Sequence, residues 1–127
     1  MSNTVTLEQQ RAQHAWNKAN EGISRHKKDY INDAKGLPAL IMNSGLMQIM
    51  AFMEAKGDRQ KLLGQHLRDW LAHQCGTPEE FKDFMTHLFQ LEDARRYQHL
   101  QTESLAWLRW LRQLAAAIPT NPENKES

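Results

Sequence analysis

The stretch GLPALIMNSGLMQIMAFMEAKG, residues 36–57, decides how this chain is read. It is the most apolar segment of a chain whose mean hydropathy is −0.73, and it holds four of the six methionines. Asn43, Ser44 and Gly45 interrupt it. A helix-turn-helix that reads DNA, a methionine-rich groove for a partner, and the core corner of a helical bundle all fit that outline. A DNA-reading second helix needs polar and basic side chains, because base edges are read through hydrogen bonds. Here the second half runs Leu46, Met47, Gln48, Ile49, Met50, Ala51, Phe52, Met53, and only Gln48 offers such a group. Methionine does adapt to irregular partner surfaces, but a helix that is apolar nearly all round is normally buried. The segment reads as a core corner.

Working outward, the chain is punctuated for helices. Period-2 alternation is missing, and valine and isoleucine are scarce beside Ala, Leu, Gln, Lys, Arg and Glu. Thr6 and Gln9 form a capping box that predicts a long first helix to about Ala34, ended by Gly36. Pro38 opens a short helix to Asn43, and Gly45 breaks the chain before a third helix from Leu46 to Lys56. Gly57 stops that one, and Asp58 caps a fourth helix ending near Cys75 and Gly76. Thr77, Pro78 and Glu80 predict a second capping box and a fifth helix to Phe89. A last long helix is expected from Glu92 to Ile118, stopped by Pro119. The expectation is one all-α domain over residues 6–118, a bundle of five to six helices with a long first and last. Residues 1–5 and the polar tail 119–127 are expected to be disordered.

Composition narrows the function classes. At 127 residues the chain has the size of one domain, with 40% apolar and 24% charged residues. A net charge of +1 gives no bulk argument for nucleic acid, so any such role rests on where charges are placed. A single cysteine, Cys75, excludes an internal disulfide and fits a reducing, cytoplasmic setting. The opening MSNTVTLEQQR has no secretory signal pattern, and no apolar run approaches a membrane span.

Two charged faces stand out. Ala12, Trp16, Ala19, Ile23 and Tyr30 recur as a predicted core stripe of the first helix. Arg11, Lys18 and Arg25 are spaced seven apart on another side with Lys28, a basic ladder suited to evenly spaced phosphates or simply to solvent. On the last helix Leu100, Ser104, Trp107, Leu111, Leu114 and Ile118 read as core, while Arg109 and Arg112 flank them. Trp110 falls about 80° off that stripe, near Arg96 and Glu103, and is either a subunit-contact anchor or an internal packing residue. His66, Asp69 and His73 could approach a metal, but a fourth ligand is missing and a solvated helix face is the simpler reading. No phosphate-cradling glycine loop and no HExxH is present, so neither an enzyme nor a cofactor is expected.

Taken together, these segments resemble the small helical subunit of type III-B CRISPR–Cas (Cmr) RNA-targeting complexes. The resemblance covers roughly residues 10–117. It rests on Leu37, Pro38, Ile41, Gly45, Leu46, Gln48, Ala51, Phe52 and Lys56 in the central segment. It rests also on Tyr97 and on Glu103, Ala106, Trp107, Leu108, Trp110 and Leu111 near the C-terminus. Arg11-Ala12 and a later Tyr30 fit as well. What it implies is a non-catalytic bundle that stacks with copies of itself beside backbone subunits, along the guide RNA–target RNA duplex. The duplex would be held through its backbone, with base pairing carrying the sequence information. Under that resemblance Arg11, Lys18, Arg25, Lys28, Lys56, Arg109 and Arg112 are the expected RNA contacts, and Trp110 with Arg96 the expected subunit contact. Gln98, His99 and Gln101 stand where more basic character would be expected. A helical adaptor that binds only protein, and the small subunit of another CRISPR effector type, are the competing readings.

Overall fold

Helix caps are local chemistry, and Thr6, Gly45, Gly57 and Gly76 act where the sequence puts them. Asp58, in contrast, is the first residue inside its helix, and Gly57 stands at the cap without a side-chain bond. The computed structural model describes residues 4–120 and contains α1 (Leu7–His26), α2 (Lys28–Ser44), α3 (Leu46–Lys56), α4 (Asp58–Cys75), α5 (Phe81–Phe89) and α6 (Ala94–Ala117). There is no strand among the described residues. Most of the two expected tails, residues 1–3 and 121–127, lies outside the described residues. Thr6 and Gln9 form the reciprocal capping box of α1, and Gly76 ends α4 in the left-handed conformation.

The first two helices differ from the expectation. The break falls at Lys27, at φ 55°, and α2 then runs straight through Gly36 and Pro38. Tyr30, Ala34, Leu37 and Ile41 form one buried stripe at steps of four, three and four across both residues. That continuous apolar face outweighs the backbone hydrogen bond lost at Pro38. The break itself brings Tyr30 back onto Gly22, where an added Cβ would overlap the tyrosine ring. In an unbroken helix those two residues would lie about 12 Å apart along the axis.

The core stripe of α1 is also displaced. Ala15, Ala19, Gly22 and Ile23 are buried, Ala12 is partly so, and Trp16 is 43% exposed. Small side chains on this face let α1 approach its neighbours closely. On α6 the buried set is Leu100, Glu103, Ser104, Trp107, Leu108, Leu111 and Ala115, with Leu114 and Ile118 at its margin. Helix α4 is the centre of the bundle and touches every other helix.

Two further starts move. Arg68, buried on α4, donates from Nε to the carbonyl of Glu79 at 2.7 Å, which holds that carbonyl outside a helix. Glu80 rather than Thr77 therefore caps α5, accepting from the Asp83 N–H at 2.9 Å. Asp93 caps α6 in the same way through Arg95 N–H, so that helix begins two residues later than expected.

The 36–57 stretch is a core corner. Leu46, Ile49, Met50 and Met53 are buried, while Met42 and Phe52 reach solvent. Gly45 sits between α2 and α3 at φ 89°, close against the Tyr97 hydroxyl, and brings no capping side chain. The free N–H groups of α3 are instead capped from α6. Gln101 Oε1 accepts from Leu46 N–H at 3.0 Å, and the Tyr97 hydroxyl accepts from Met47 N–H at 3.0 Å. This explains the amide at position 101, since a lysine or arginine has no acceptor to offer.

Replacing Gln101 with lysine leaves a part-buried N–H unpaired and is expected to cost about 1–3 kcal/mol. Gln98→Lys, at an exposed position, should cost less than about 0.5 kcal/mol. Urea unfolding of the two variants, compared at constant slope, checks the difference.

Candidate nucleic-acid interface

Glu103 lies in the contact between α1, α4 and α6. It is 3% exposed and accepts three hydrogen bonds: from Arg11 Nε at 2.7 Å, Arg11 Nη2 at 2.8 Å and Trp70 Nε1 at 3.0 Å. Burial pushes its carboxyl up, but the bonds from Arg11 and Trp70 outweigh that and hold it below the usual carboxylate range. Reversing Arg11 would therefore disturb the core, because two carboxylates would meet at a buried site.

Two histidines extend the polar framework, and each has its tautomer set by a neighbour with a single hydrogen-bonding role, the indole N–H of Trp107 for His14 and the carboxylate of Glu21 for His66. Trp107 Nε1 donates to His14 Nδ1 at 2.9 Å, which leaves the proton on Nε2, facing Asp69 at 2.6 Å. The Tyr30 hydroxyl, whose pKa burial pushes up, lies 2.7 Å from His66 Nδ1 and donates to it. Glu21 accepts from His66 Nε2–H at 3.2 Å, which is what leaves Nδ1 free to accept from Tyr30. Burial lowers the pKa of both rings, that of His66 to about 4. His66 is thus a core residue, not part of a solvated face. Asp69 belongs to His14, and His73 lies against Trp70 with ring centres 5.7 Å apart. The three candidate metal ligands therefore have separate partners, and no group of three ligating side chains gathers among the described residues.

The basic ladder of the first helix divides into parts with different surroundings. Arg11 joins Arg109, Arg112 and Trp110 around a groove of about 590 Å³ between α1 and α6, where Glu8 is the sole acidic residue. Arg109 and Arg112 are exposed and have no ion-pair partner among the described residues. Lys18 and Arg25 instead line a groove that also contains Glu21, Glu54, Asp69, Glu79 and Glu80. Lys18 lies 3.6 Å from Asp69, and Arg25 lies 3.7 Å from Glu21. Lys28 lies beyond the break, on α2, and Lys56 sits over the Phe52 ring on α3. Trp110 is half-buried against the core. Arg96 is exposed and fourteen residues away from it, about 21 Å along α6, so the two expected interface residues are not neighbours.

Residues 7–118 match the family described as CRISPR-associated protein (Cas_Cmr5), a span that takes in all six helices. The chain belongs to that family. It is 28% identical over 120 residues to the CRISPR system Cmr subunit Cmr5 of Thermotoga maritima, a match covering 94% of this chain and 90% of the relative. Its fold is similar to the crystal structure of a CRISPR-associated Cmr5 family protein from Thermus thermophilus. The TM-score is 0.75 at 28% identity, covering 90% of this chain and 97% of that one. The two motifs that carry the family resemblance meet in space, where Tyr97 and Gln101 cap the helix that follows Gly45. No helix among the described residues is long and apolar enough to cross a membrane.

Two measurements test this framework. A histidine whose pKa falls on folding binds fewer protons folded than unfolded, so its effect on stability is felt only on acidification. Stability should hold above about pH 6.5 and fall as the pH drops toward 4, by on the order of 3 kcal/mol for His66. His66→Gln keeps an acceptor for Tyr30, does not titrate, and should flatten that part of a melting-temperature profile. Separately, Trp107→Ala should cost about 3–5 kcal/mol, as truncation of a buried aromatic does. Half-buried Trp110→Ala should cost clearly less in the same urea titration.

Proposed function

We propose that this chain is a non-catalytic subunit of a type III-B CRISPR RNA-targeting complex, stacked beside copies of itself and the backbone subunits. In this reading it holds the backbone of the guide–target RNA duplex through the α1–α6 groove. Membership of the Cas_Cmr5 family supports a place in a Cmr complex. The observation that carries the RNA contact is the convergence of Arg11, Arg109 and Arg112 on one groove, two of them unpaired. Planar guanidinium groups bind phosphate oxygens in pairs, and the A-form duplex is read through its phosphates and shape rather than its deep groove. The pair with Glu103 fixes Arg11 at the edge of that groove and leaves its Nη1 without a partner among the described residues. Lys18 and Arg25 contribute less, since carboxylates surround them. Lys28 and Lys56 are exposed cations on other surfaces and offer secondary contacts. Trp110, beside Arg109 and Arg112, is the proposed anchor for a neighbouring subunit.

The protein-only adaptor reading draws on a different place. Trp16, Val5 and Leu114 line a groove of about 940 Å³ with a largely apolar wall, a surface suited to protein rather than phosphate.

The deciding experiment measures RNA binding by the assembled complex as a function of salt. Arg109→Glu with Arg112→Glu removes two phosphate contacts and should lower the slope of log K against log salt by roughly 1.5, at about 0.7–0.9 per contact. The loss should be the same for unrelated RNA sequences, because phosphate contacts carry no base information. An unchanged affinity and slope, with the complex intact, would reject the groove and favour the adaptor.

A further inference from the structure

The first turn of α6 borders a second cleft, of about 390 Å³, which the RNA-backbone reading leaves unused. Arg95, Arg96 and His99 of α6, His87 of α5, and Cys75 and Thr77 around the end of α4 line it, and no carboxylate does. Helix formation does not account for this placement. The start of a helix is already its positive end, so two arginines with no acid in the first turn oppose the helix dipole. Arg95 meets Asp93 only at 3.7 Å and on an exposed surface, where such pairs contribute little. Arg96 has no ion-pair partner among the described residues.

A second observation points to something that belongs in the cleft. Thr77 is 5% exposed, and its buried Oγ1 has no hydrogen-bond partner among the described residues. Buried hydroxyls are nearly always bonded, and an orphan signals a missing partner. Cys75 does not compete for the arginines. Burial pushes its thiol pKa up, so it stays uncharged at neutral pH.

We propose that this cleft is a phosphate-binding site. Arg95 and Arg96 present guanidinium forks to the phosphate oxygens, and His87 and His99 offer ring N–H donors in either charge state. The Thr77 hydroxyl donates to the oxygen that reaches deepest. The volume is at the low end for ligand pockets, roughly 300–1,000 Å³, and suits one phosphate with its attached sugar. Arg96 and Arg109 are thirteen residues apart, about 20 Å along α6, so this site stands or falls independently of the α1–α6 groove.

Cys75, the one cysteine in the chain, makes the test local. The alkylation rate of the full chain by iodoacetamide is followed by mass spectrometry at constant ionic strength. The probes are inorganic phosphate, adenosine monophosphate, and a short RNA with either a 5′-phosphate or a 5′-hydroxyl. Protection of several-fold is expected, and it should vanish in an Arg95→Ala, Arg96→Ala variant of unchanged helicity. Protection by the 5′-phosphorylated RNA alone identifies a terminal phosphate, whereas equal protection by both RNAs identifies an internal diester. Thr77→Val should raise the probe concentration needed for half-protection about tenfold with an unchanged melting temperature, because the lost hydroxyl has no protein partner among the described residues. No protection by any probe, protection that survives the double arginine variant, or an unchanged half-protection concentration in Thr77→Val overturns the site.

Discussion

The structure depends on one buried carboxylate. Glu103 sits where α1, α4 and α6 meet, and a charge there is tolerable only because Arg11 and Trp70 donate three hydrogen bonds to it. That requirement fixes the other parts in turn. Trp70 must present its indole nitrogen to α6, and Trp107 must find an acceptor elsewhere, which His14 provides from α1. His14 is thereby held in the tautomer that faces Asp69 of α4. Apolar packing would tolerate sliding of one helix along another. These directional bonds do not, so they select one register for the three helices. The groove that gathers Arg11, Arg109 and Arg112 is a by-product of that register, and its shape follows from the core beneath it.

How much of this was legible in the sequence depended on how local the deciding chemistry was. Thr6–Gln9 marks a helix start through its own side chains, Gly45, Gly57 and Gly76 mark helix ends through their backbone freedom, and each acts where it stands. The break at Lys27 carries no such mark, since neither glycine nor proline is near it. It arises because Tyr30 fits against Gly22 and His66, a tertiary gain that forces a non-glycine residue to positive φ. Pro38 misled for the opposite reason: a local breaker was overridden by an apolar stripe in phase on both sides of it. The basic ladder was visible as a pattern, but the fate of each cation was decided by carboxylates far away in sequence. Arg11 is 92 residues from Glu103, and no periodicity reports that distance. Trp16 and Trp107 look alike in a helical repeat. Only the identity of the facing helix puts one in solvent and the other in the core.

The two segments that carry the family resemblance acquire a joint meaning. The central segment supplies a glycine turn with uncapped N–H groups, and the C-terminal one supplies the hydroxyl and amide that cap them. Neither segment is complete alone. Gln101, out of place among expected basic residues, is the amide acceptor that this joint requires.

The contact between Gly22 and Tyr30 has a consequence for how such sequences diverge. The ring occupies the space where any other side chain at position 22 would begin, so the two positions hold a single allotment of volume. A lineage that exchanges Gly22 for alanine must shrink the aromatic at 30 in the same step or nearly so, and then the Tyr30–His66 bond goes with it. Substitutions at 22, 30 and 66 are therefore expected to travel as a group. A chimera that joins the first helix of one relative to the remainder of another would fail at this seam wherever the two parents fill positions 22 and 30 differently, even if every exposed residue is compatible.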